Sequence, residues 1–200
     1  MDVGCGFPPV TVAETAQALS GWHVYGIDST FNDYVLYDHE GHYACFDQDG
    51  KFQYFQALMN PSGRALYANP GATRDRFMKL YENLYPLLQN VNDKRSQTVE
   101  SDGNRLIRHH IRDFEKDNLT FIKDDFTKLR QWSVTVIRCM NVLVYFEPDV
   151  RKKMLAQAGN LLEDDGIVIA GTNGLGIQAR YVVYRKALNG LVADEFAFGL

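Results

Sequence analysis

The sequence predicts an α/β protein in which helices flank a mostly parallel sheet. Three observations predict this class: a strand–turn–helix–strand unit over residues 1–27, a return of alternating strands and helices from residue 119, and two strand-like segments near the end. The chain has 200 residues, of which 46% are hydrophobic. This size and composition are typical of one folded domain, which we assign to residues 1–200.

The first unit begins with a short strand at Met1–Val3 and a glycine turn at Gly4–Gly6. A helix over Val10–Leu19 and a second strand over His23–Ile27 follow, and Asp28 comes directly after that strand. Ligands of open parallel sheets bind at the carboxyl ends of the strands. We therefore expect the glycine turn and Asp28 to face one cleft.

Residues 31–118 interrupt this rhythm and form an aromatic-rich insertion, which we expect on the substrate side. Its first part predicts a meander of two hairpins, because three short strand-like runs are separated by turn-like residues. These runs are Tyr34–Tyr37, His42–Phe46 and Lys51–Phe55. The rest predicts a loop over residues 61–71, a helix over residues 75–88, a poorly defined polar stretch over residues 89–103, and a helix over residues 104–116.

The α/β rhythm returns at residue 119. The segments 119–122, 134–137 and 167–170 predict three strands, with a helix over residues 149–162 before the last of them. Residues 181–184 and 192–198, joined through Asn189-Gly190, predict an antiparallel pair at the edge of the sheet.

Charge and cysteine content narrow the function classes. The 25 acidic and 21 basic residues leave a net charge of -4, which argues against nucleic acid as a partner. Without a long apolar run or a signal peptide we expect no membrane partner and a cytoplasmic protein. Cys5, Cys45 and Cys139 are widely spaced, so we expect free thiols and no metal site.

Several motifs carry a resemblance to a known family. Asp2-Val3-Gly4-Cys5-Gly6, with Gly26-Ile27-Asp28 after the next strand, resembles the first two motifs of class I S-adenosylmethionine-dependent methyltransferases. Residues 123–129 resemble the family segment whose acidic residue meets the adenine amino group. Residues 137–146 resemble the motif after the fourth strand of chemotaxis-receptor methyltransferases, and residues 161–166 stand where the family has a turn before its fifth strand.

The resemblance covers residues 1–30 and 119–200. It implies a seven-stranded Rossmann-like methyltransferase sheet, mostly parallel, with the last strand antiparallel and with a truncated first strand. A central strand normally has about five residues, and here three precede the turn, so we expect either a misassigned gene start or a missing N-terminal segment.

The resemblance also implies S-adenosylmethionine as the cofactor and S-adenosylhomocysteine as the product. Asp28 can accept hydrogen bonds from ribose hydroxyls, and Asp125, with Asp124 as a competitor, can accept one from an exocyclic amine. The residues that we expect to bind the cofactor are Asp2, Gly4, Cys5, Gly6, Asp28, Ser29, Asp125, Phe126, Cys139 and Asn141.

Two other functions stay open at this point. An NAD-linked oxidoreductase shares the nucleoside contacts, although Pro9 stands where a dinucleotide fingerprint needs its third glycine. A methyltransferase fold that only binds a ligand or partner is the second alternative, because a shortened central strand would weaken the cofactor cleft.

Methyl transfer from a sulfonium depends chiefly on positioning, and a general base is needed only for a protonated nucleophile. The candidates for a catalytic role are His109, His110, Tyr145 and Tyr181. The chemotaxis-type motif would suggest a protein glutamate as the acceptor, but its arginine is Met140 here and the chain has no room for that family's helical domain. We expect a small-molecule acceptor, and exposed strand edges favour a homodimer.

Overall fold

The computed structural model describes residues 1–31, 33–88, 96–109, 111–173 and 179–199. The strands in these ranges are β1 (Asp2–Val3), β2 (Val24–Asp28), β3 (Tyr34–Tyr37), β4 (Tyr43–Phe46), β5 (Phe52–Gln56), β6 (Gln97–Ser101), β7 (Asn104–Arg108), β8 (Leu119–Lys123), β9 (Val134–Met140), β10 (Leu162–Asn173), β11 (Ala179–Ala187) and β12 (Gly190–Phe198). The α-helices are α1 (Val10–Ala18), α2 (Pro61–Ala68), α3 (Pro70–Leu88) and α4 (Pro148–Leu161).

The chain divides into two compact units, one of residues 1–30 and 115–200 and the other of residues 31–114. The first unit contains a seven-stranded sheet in the order β12-β11-β10-β9-β1-β2-β8. The assignment of residues 1–200 to one domain, with residues 31–118 as its substrate side, stays a prediction.

The direction of the last strand differs from our expectation. β11 is antiparallel to β10, and β12 is antiparallel to β11, so β12 runs in the same direction as the parallel strands. The reversed strand is therefore β11, the sixth of this sheet along the chain. The chain reverses its direction between β10 and β11, and the hairpin between β11 and β12 reverses it again.

The short first strand lies at the centre of this sheet. β1 pairs in parallel with β2 through Asp2 and Gly26 and with β9 through Asp2 and Arg138. This pairing brings the residues after β1 to the carboxyl ends of β2 and β9. Ligand-binding loops of parallel sheets lie at this edge.

Helices cover both faces of the sheet. Met154, Ala158 and Leu161 of α4 pack in one buried cluster with Val3 and Ile137. On the other face, Val12 and Ala16 of α1 pack with residues of β2 and β8. Burial of both faces explains why apolar residues predominate in β2 and β9.

The second unit is a five-stranded antiparallel sheet in the order β5-β4-β3-β7-β6. The meander of two hairpins is confirmed, because β3 pairs with β4 and β4 with β5 in antiparallel register. Helix α3 buries Phe77, Tyr81 and Leu84 in a cluster with Leu36 and Leu106 of the sheet.

The predicted loop over residues 61–71 is wrong. Helix α2 spans most of it, and α3 begins at Pro70. The Asn60 side chain accepts a hydrogen bond from the Gly63 amide at 2.8 Å, and the Asn69 side chain accepts one from Ala72 at 3.2 Å. Each helix therefore begins with an asparagine cap and a proline in its first turn.

The predicted helix over residues 104–116 is also wrong, because residues 104–108 form β7 and residues 111–114 form a 3-10 turn. The preceding residues explain the difference. Asp102 and Gly103 both have positive φ and close a tight hairpin from β6 to β7. The polar stretch before it contains β6.

Candidate cofactor site

A cavity of about 490 Å³ lies at the carboxyl ends of β1, β2, β8 and β9 in the first unit. The structure brings six of the predicted cofactor-binding residues to its wall. They are Gly4, Asp28, Ser29, Asp125, Phe126 and Asn141.

A smaller cavity of about 190 Å³ adjoins it and shares Gly4 and Asn141. Its wall contains the predicted residues Asp2 and Cys5, and it also contains Arg138. A charged pair and an asparagine therefore surround the smaller cavity, while aromatic and aliphatic side chains such as Phe126 and Met154 contribute to the larger one.

The glycine turn has the backbone that the motif requires. Gly4 and Gly6 have φ of +66° and +67°, and the Gly4 amide donates to the Ile27 carbonyl at 2.7 Å. A Cβ atom on Gly4 would lie 2.3 Å from Cγ2 of Val142. Gly4 is thus fixed both by its conformation and by close packing.

Asp28 connects the end of β2 to this turn. One carboxylate oxygen accepts from the Gly6 amide at 3.0 Å, and the other accepts from the Thr30 amide at 3.1 Å. Each carboxylate oxygen can accept more than one hydrogen bond. Asp28 therefore holds the turn in place and keeps acceptor capacity toward the cavity.

Asp2 and Arg138 form an ion pair with 3.2 Å between the carboxylate and guanidinium atoms. Burial raises the pKa of the Asp2 carboxyl, and the neighbouring Arg138 charge only partly offsets this effect. Arg138 also reaches the hydroxyl of Thr15 on α1 at 3.4 Å. The pair thus joins β1, β9 and α1 beside the smaller cavity.

Asp125 begins the 3-10 turn of residues 126–128 after β8. Its carboxylate accepts from the amide and the hydroxyl of Thr127, at 2.9 and 2.7 Å. These hydrogen bonds lower the pKa of the Asp125 carboxyl. Asp124 lines the same cavity and accepts from the Asp125 amide at 2.7 Å, so both neighbours reach the site.

Asn141 occupies the end of β9 with a positive φ of 59°. The backbone amide of Asn141 donates to the Gly171 carbonyl at 2.8 Å, and the side-chain oxygen of Asn141 accepts from the backbone amide of Asn173 at 2.6 Å. Because the amide oxygen is bound to β10, the NH₂ group is the part of this side chain that is directed to other partners. Asn173 itself lines the smaller cavity.

Two predicted cysteines differ in their surroundings. Cys5 lines the smaller cavity, and burial together with the nearby Asp28 and Asp2 charges raises the pKa of its thiol. The Cys139 side chain, in contrast, is buried among the core residues between the sheet and α4. Cys139 lines neither cavity, and its role as a contact of the cofactor stays a prediction.

The catalytic candidates are not brought together. Tyr145 lines the larger cavity and is 81% exposed. Tyr181 lies in β11 opposite Gly171 and lines neither cavity. His109 belongs to the second unit, where burial lowers the pKa of its imidazole. His110 lies outside the described residues.

Sequence reasoning missed Arg138 and Asn173. Arg138 lies within the motif of residues 137–146, and its charge inside a largely apolar strand is a signal that could have marked it. Asn173 follows β10 with no recognisable pattern, so only the pairing of β9 with β10 reveals it.

A second polar cluster occurs in the turn between β3 and β4. Asp38, Glu40 and His42 place one potential ligand atom each within 4.8 Å of one another. The Leu58 amide donates to Nδ1 of His42 at 3.0 Å, so neutral His42 carries its proton on Nε2, which lies 3.0 Å from Glu40. Asp38 is bound to Arg76 at 2.8 Å. Internal hydrogen bonds therefore account for this cluster, which closes the turn.

The four α-helices in the described ranges include none with both the length and the hydropathy needed to cross a membrane.

The comparisons with known proteins agree with the geometry of the site. Residues 82–178 match a family model described as CheR methyltransferase, SAM binding domain. A search of curated proteins gives no match. The matched segment contains β8 and β9, and the residues just after these strands, Asp125, Phe126 and Asn141, line the cavity. Carboxylates at the ends of two strands and an aromatic wall suit the ribose, amine and ring of an adenosine group. The match supports a class I S-adenosylmethionine-dependent methyltransferase with CheR-like features and S-adenosylmethionine as its cofactor.

Proposed function

We propose that this enzyme transfers the methyl group to a carboxylate oxygen of its acceptor and forms a methyl ester. The observation that carries the proposal is the composition of the two cavities. Among the described residues that line them, none is His or Lys. A carboxylate is already ionised at neutral pH, so it needs no general base.

The residues of the site have separate roles in this proposal. Asp28 and Ser29 would hold the ribose, and Asp125 and Phe126 the adenine ring. Asp2, Arg138 and the glycine turn would hold the amino-acid end of the cofactor. The bound cofactor supplies an electrophilic methyl group with a neutral thioether as the leaving group. The protein then has to exclude water and align the acceptor oxygen.

Tyr145 is the residue that we assign to the acceptor side. Its ring lines the larger cavity and is mostly exposed, and Val144, Phe146 and Val150 beside it are exposed as well. An aromatic side chain in this position can pack against an acceptor and fix its approach.

There are two candidate acceptors, because the carboxylate can belong to a small molecule or to a side chain of a peptide. The sequence favours a small-molecule acceptor, for which a compact carboxylic acid is the simplest form. The exposed apolar residues 144–146 and Val150 favour a carboxylate side chain on a peptide instead, because such a rim can contact residues on both sides of an acidic side chain. A cytoplasmic location and a homodimer stay predictions.

The test is methyl transfer from S-adenosylmethionine labelled in its methyl group. Small mono- and dicarboxylic acids form one panel, and glutamate-containing peptides form the other. A methyl ester releases labelled methanol in mild alkali, whereas a methylated amine or ether does not. Label that resists alkali, on any acceptor, would contradict the proposal.

Variants distinguish the two halves of the site. Asp28→Ala should lower transfer with every acceptor alike, because it weakens cofactor binding. Tyr145→Ala should lower kcat/KM for the acceptor by about tenfold and leave S-adenosylhomocysteine affinity unchanged. Tyr145→Phe is the matched control, and it should retain activity if the ring and not the hydroxyl is needed.

A further inference from the structure

Arg151 lies near the start of α4, beside the larger cofactor cavity. Its Nε atom donates to the carbonyl of Phe146 at 2.6 Å. Phe146 and Val150, the residue before Arg151, both line this cavity. The guanidinium group is therefore held next to the apolar rim that residues 144–146 and Val150 form.

The start of α4 explains the direction of this side chain. Side chains on a helix tilt toward its N-terminus, and α4 begins at Pro148. The Arg151 backbone amide donates to the Glu147 carbonyl at 3.0 Å, and the side chain reaches the carbonyl one residue further back. This contact uses the single N–H group of Nε. The two terminal amino groups are left as a fork that matches both oxygens of a carboxylate.

The charge of Arg151 is not offset by an ion pair within the part of the chain that the structure describes. Two neighbouring cations differ in this respect. Lys128 lies 3.4 Å from the Asp125 carboxylate, and Lys152 lies 3.8 Å from the Asp149 carboxylate. Arg151 is exposed, so its fork is accessible to a ligand that approaches the rim.

The wall of the larger cavity has the opposite charge. It contains the carboxylates of Asp28, Asp124 and Asp125, and none of its described residues is Lys, Arg or His. Such a wall repels a negatively charged acceptor, so a cation at the rim favours its approach. A carboxylate held by both amino groups of Arg151 has its oxygens engaged in hydrogen bonds and lies outside this wall. It is therefore not the group that receives the methyl.

We propose that Arg151 is a specificity-determining residue, which binds a second carboxylate of the acceptor at the rim of the larger cavity. This inference rests on the proposed function, in which a first carboxylate receives the methyl group. The acceptor then has two carboxylates a few atoms apart, and the apolar rim contacts the carbon atoms between them. A dicarboxylic acid and a peptide with two adjacent glutamates both provide this chemistry.

The test measures binding without methyl transfer. The complex with S-adenosylhomocysteine is titrated with glutarate and, separately, with a peptide that contains Glu-Glu, and Kd is obtained from NMR chemical shifts. Arg151→Gln should raise the Kd of at least one ligand about tenfold, because it removes both the charge and the fork. Arg151→Lys keeps the charge and should raise it by about threefold. Lys152→Gln is the matched control and should leave Kd unchanged, because Lys152 lines a separate groove between α4 and β12.

The two ligands distinguish the sources of the carboxylates. An Arg151-dependent Kd for glutarate alone supports a small dicarboxylic acid, and one for the peptide alone supports a peptide acceptor. The inference would be overturned if neither ligand bound to the unchanged protein, or if Arg151→Gln and Lys152→Gln gave equal Kd values for both ligands. These results do not depend on which atom receives the methyl. Failure of the proposed function would appear separately, as label that resists alkali.

Discussion

Asp28 is the residue on which the cofactor site depends most directly. Its two carboxylate oxygens hold the amides of Gly6 and Thr30, and the same group lines the larger cavity. Asp28→Ala removes two charge-assisted hydrogen bonds and, in the proposed function, the acceptor for the ribose hydroxyls. We expect S-adenosylhomocysteine affinity, measured by calorimetry, to fall by about tenfold to a hundredfold. Asp49→Ala changes an exposed turn carboxylate and should bind normally. Equal affinity in both variants would contradict this role.

The cysteine thiols provide a test of burial. Burial raises the pKa of Cys45 and of Cys139 to about 12, and it raises the pKa of Cys5 as well. Because the thiolate is the reactive form, all three should be alkylated by iodoacetamide slowly at pH 8 in the native protein and rapidly after unfolding. Unfolded thiols ionise near pH 8.5, so the free energy of unfolding should fall as the pH rises above that value. Rapid native alkylation would show that the core is open.

The site could be predicted from the sequence where one local motif determines both the residue and its direction. Gly4, Asp28 and Asp125 are of this kind, because each lies at the end of a strand or within two residues after it and so reaches the carboxyl edge of the sheet. Cys139 and Arg138 show where a local motif no longer determines the direction of a side chain. Both lie within β9, and only the alternation of its two faces assigns Arg138 to the cavity and Cys139 to the core.

Among the elements, β7 differs most clearly from the sequence-based expectation, because residues 104–108 form a strand where the sequence predicts a helix. Leu106 is fully buried between Leu36 and Val99, whereas Ile107 belongs to the other face and is half-buried. Leu106→Ala should lower the free energy of unfolding by about 2–5 kcal/mol, and Ile107→Ala should cost clearly less. Urea unfolding measures both. A helix would place these two side chains on one face, so similar losses for the two variants would favour the helix.

The contacts that make residues 104–108 a strand are with residues far away in the sequence. Leu106, Ile107, Ile111 and Phe114 satisfy a helical period, and the strand needs only residues 104–108. The deciding contacts are with β3, about seventy residues earlier in the chain, which local spacing does not contain. Helices α2 and α3 were different, because the Asn60 and Asn69 caps with their following prolines are local signals that were available.

At the scale of the whole molecule, the chain inserts a complete unit into one crossover of a parallel sheet. β2 and β8 are adjacent and parallel, and residues 31–114 form the second unit between them in the sequence. A parallel pair requires a crossover of a dozen or more residues. The first unit therefore needs a connection of this length between β2 and β8. The pairing of these two strands does not determine what the connection contains.

This arrangement leads to a prediction about the origin of cofactor binding. Every described residue that lines the two cofactor cavities belongs to residues 1–30 or 115–200. Replacing residues 31–114 with a flexible linker of about 15 residues satisfies the crossover and leaves those walls intact. We expect the shortened protein to bind S-adenosylhomocysteine within about threefold of the full chain, as measured by calorimetry. It should lose methyl transfer if the removed unit contributes to acceptor binding.

The control for that experiment is the same shortened protein with Asp28→Ala, in which the affinity should fall by about tenfold to a hundredfold, as in the full chain. Circular dichroism and cooperative urea unfolding establish that the shortened protein is folded. A folded protein without affinity would show that residues 31–114 maintain the cofactor cavities, and the division of labour between the two units would then be wrong. Retained binding together with retained transfer would assign the acceptor, like the cofactor, to the seven-stranded unit alone.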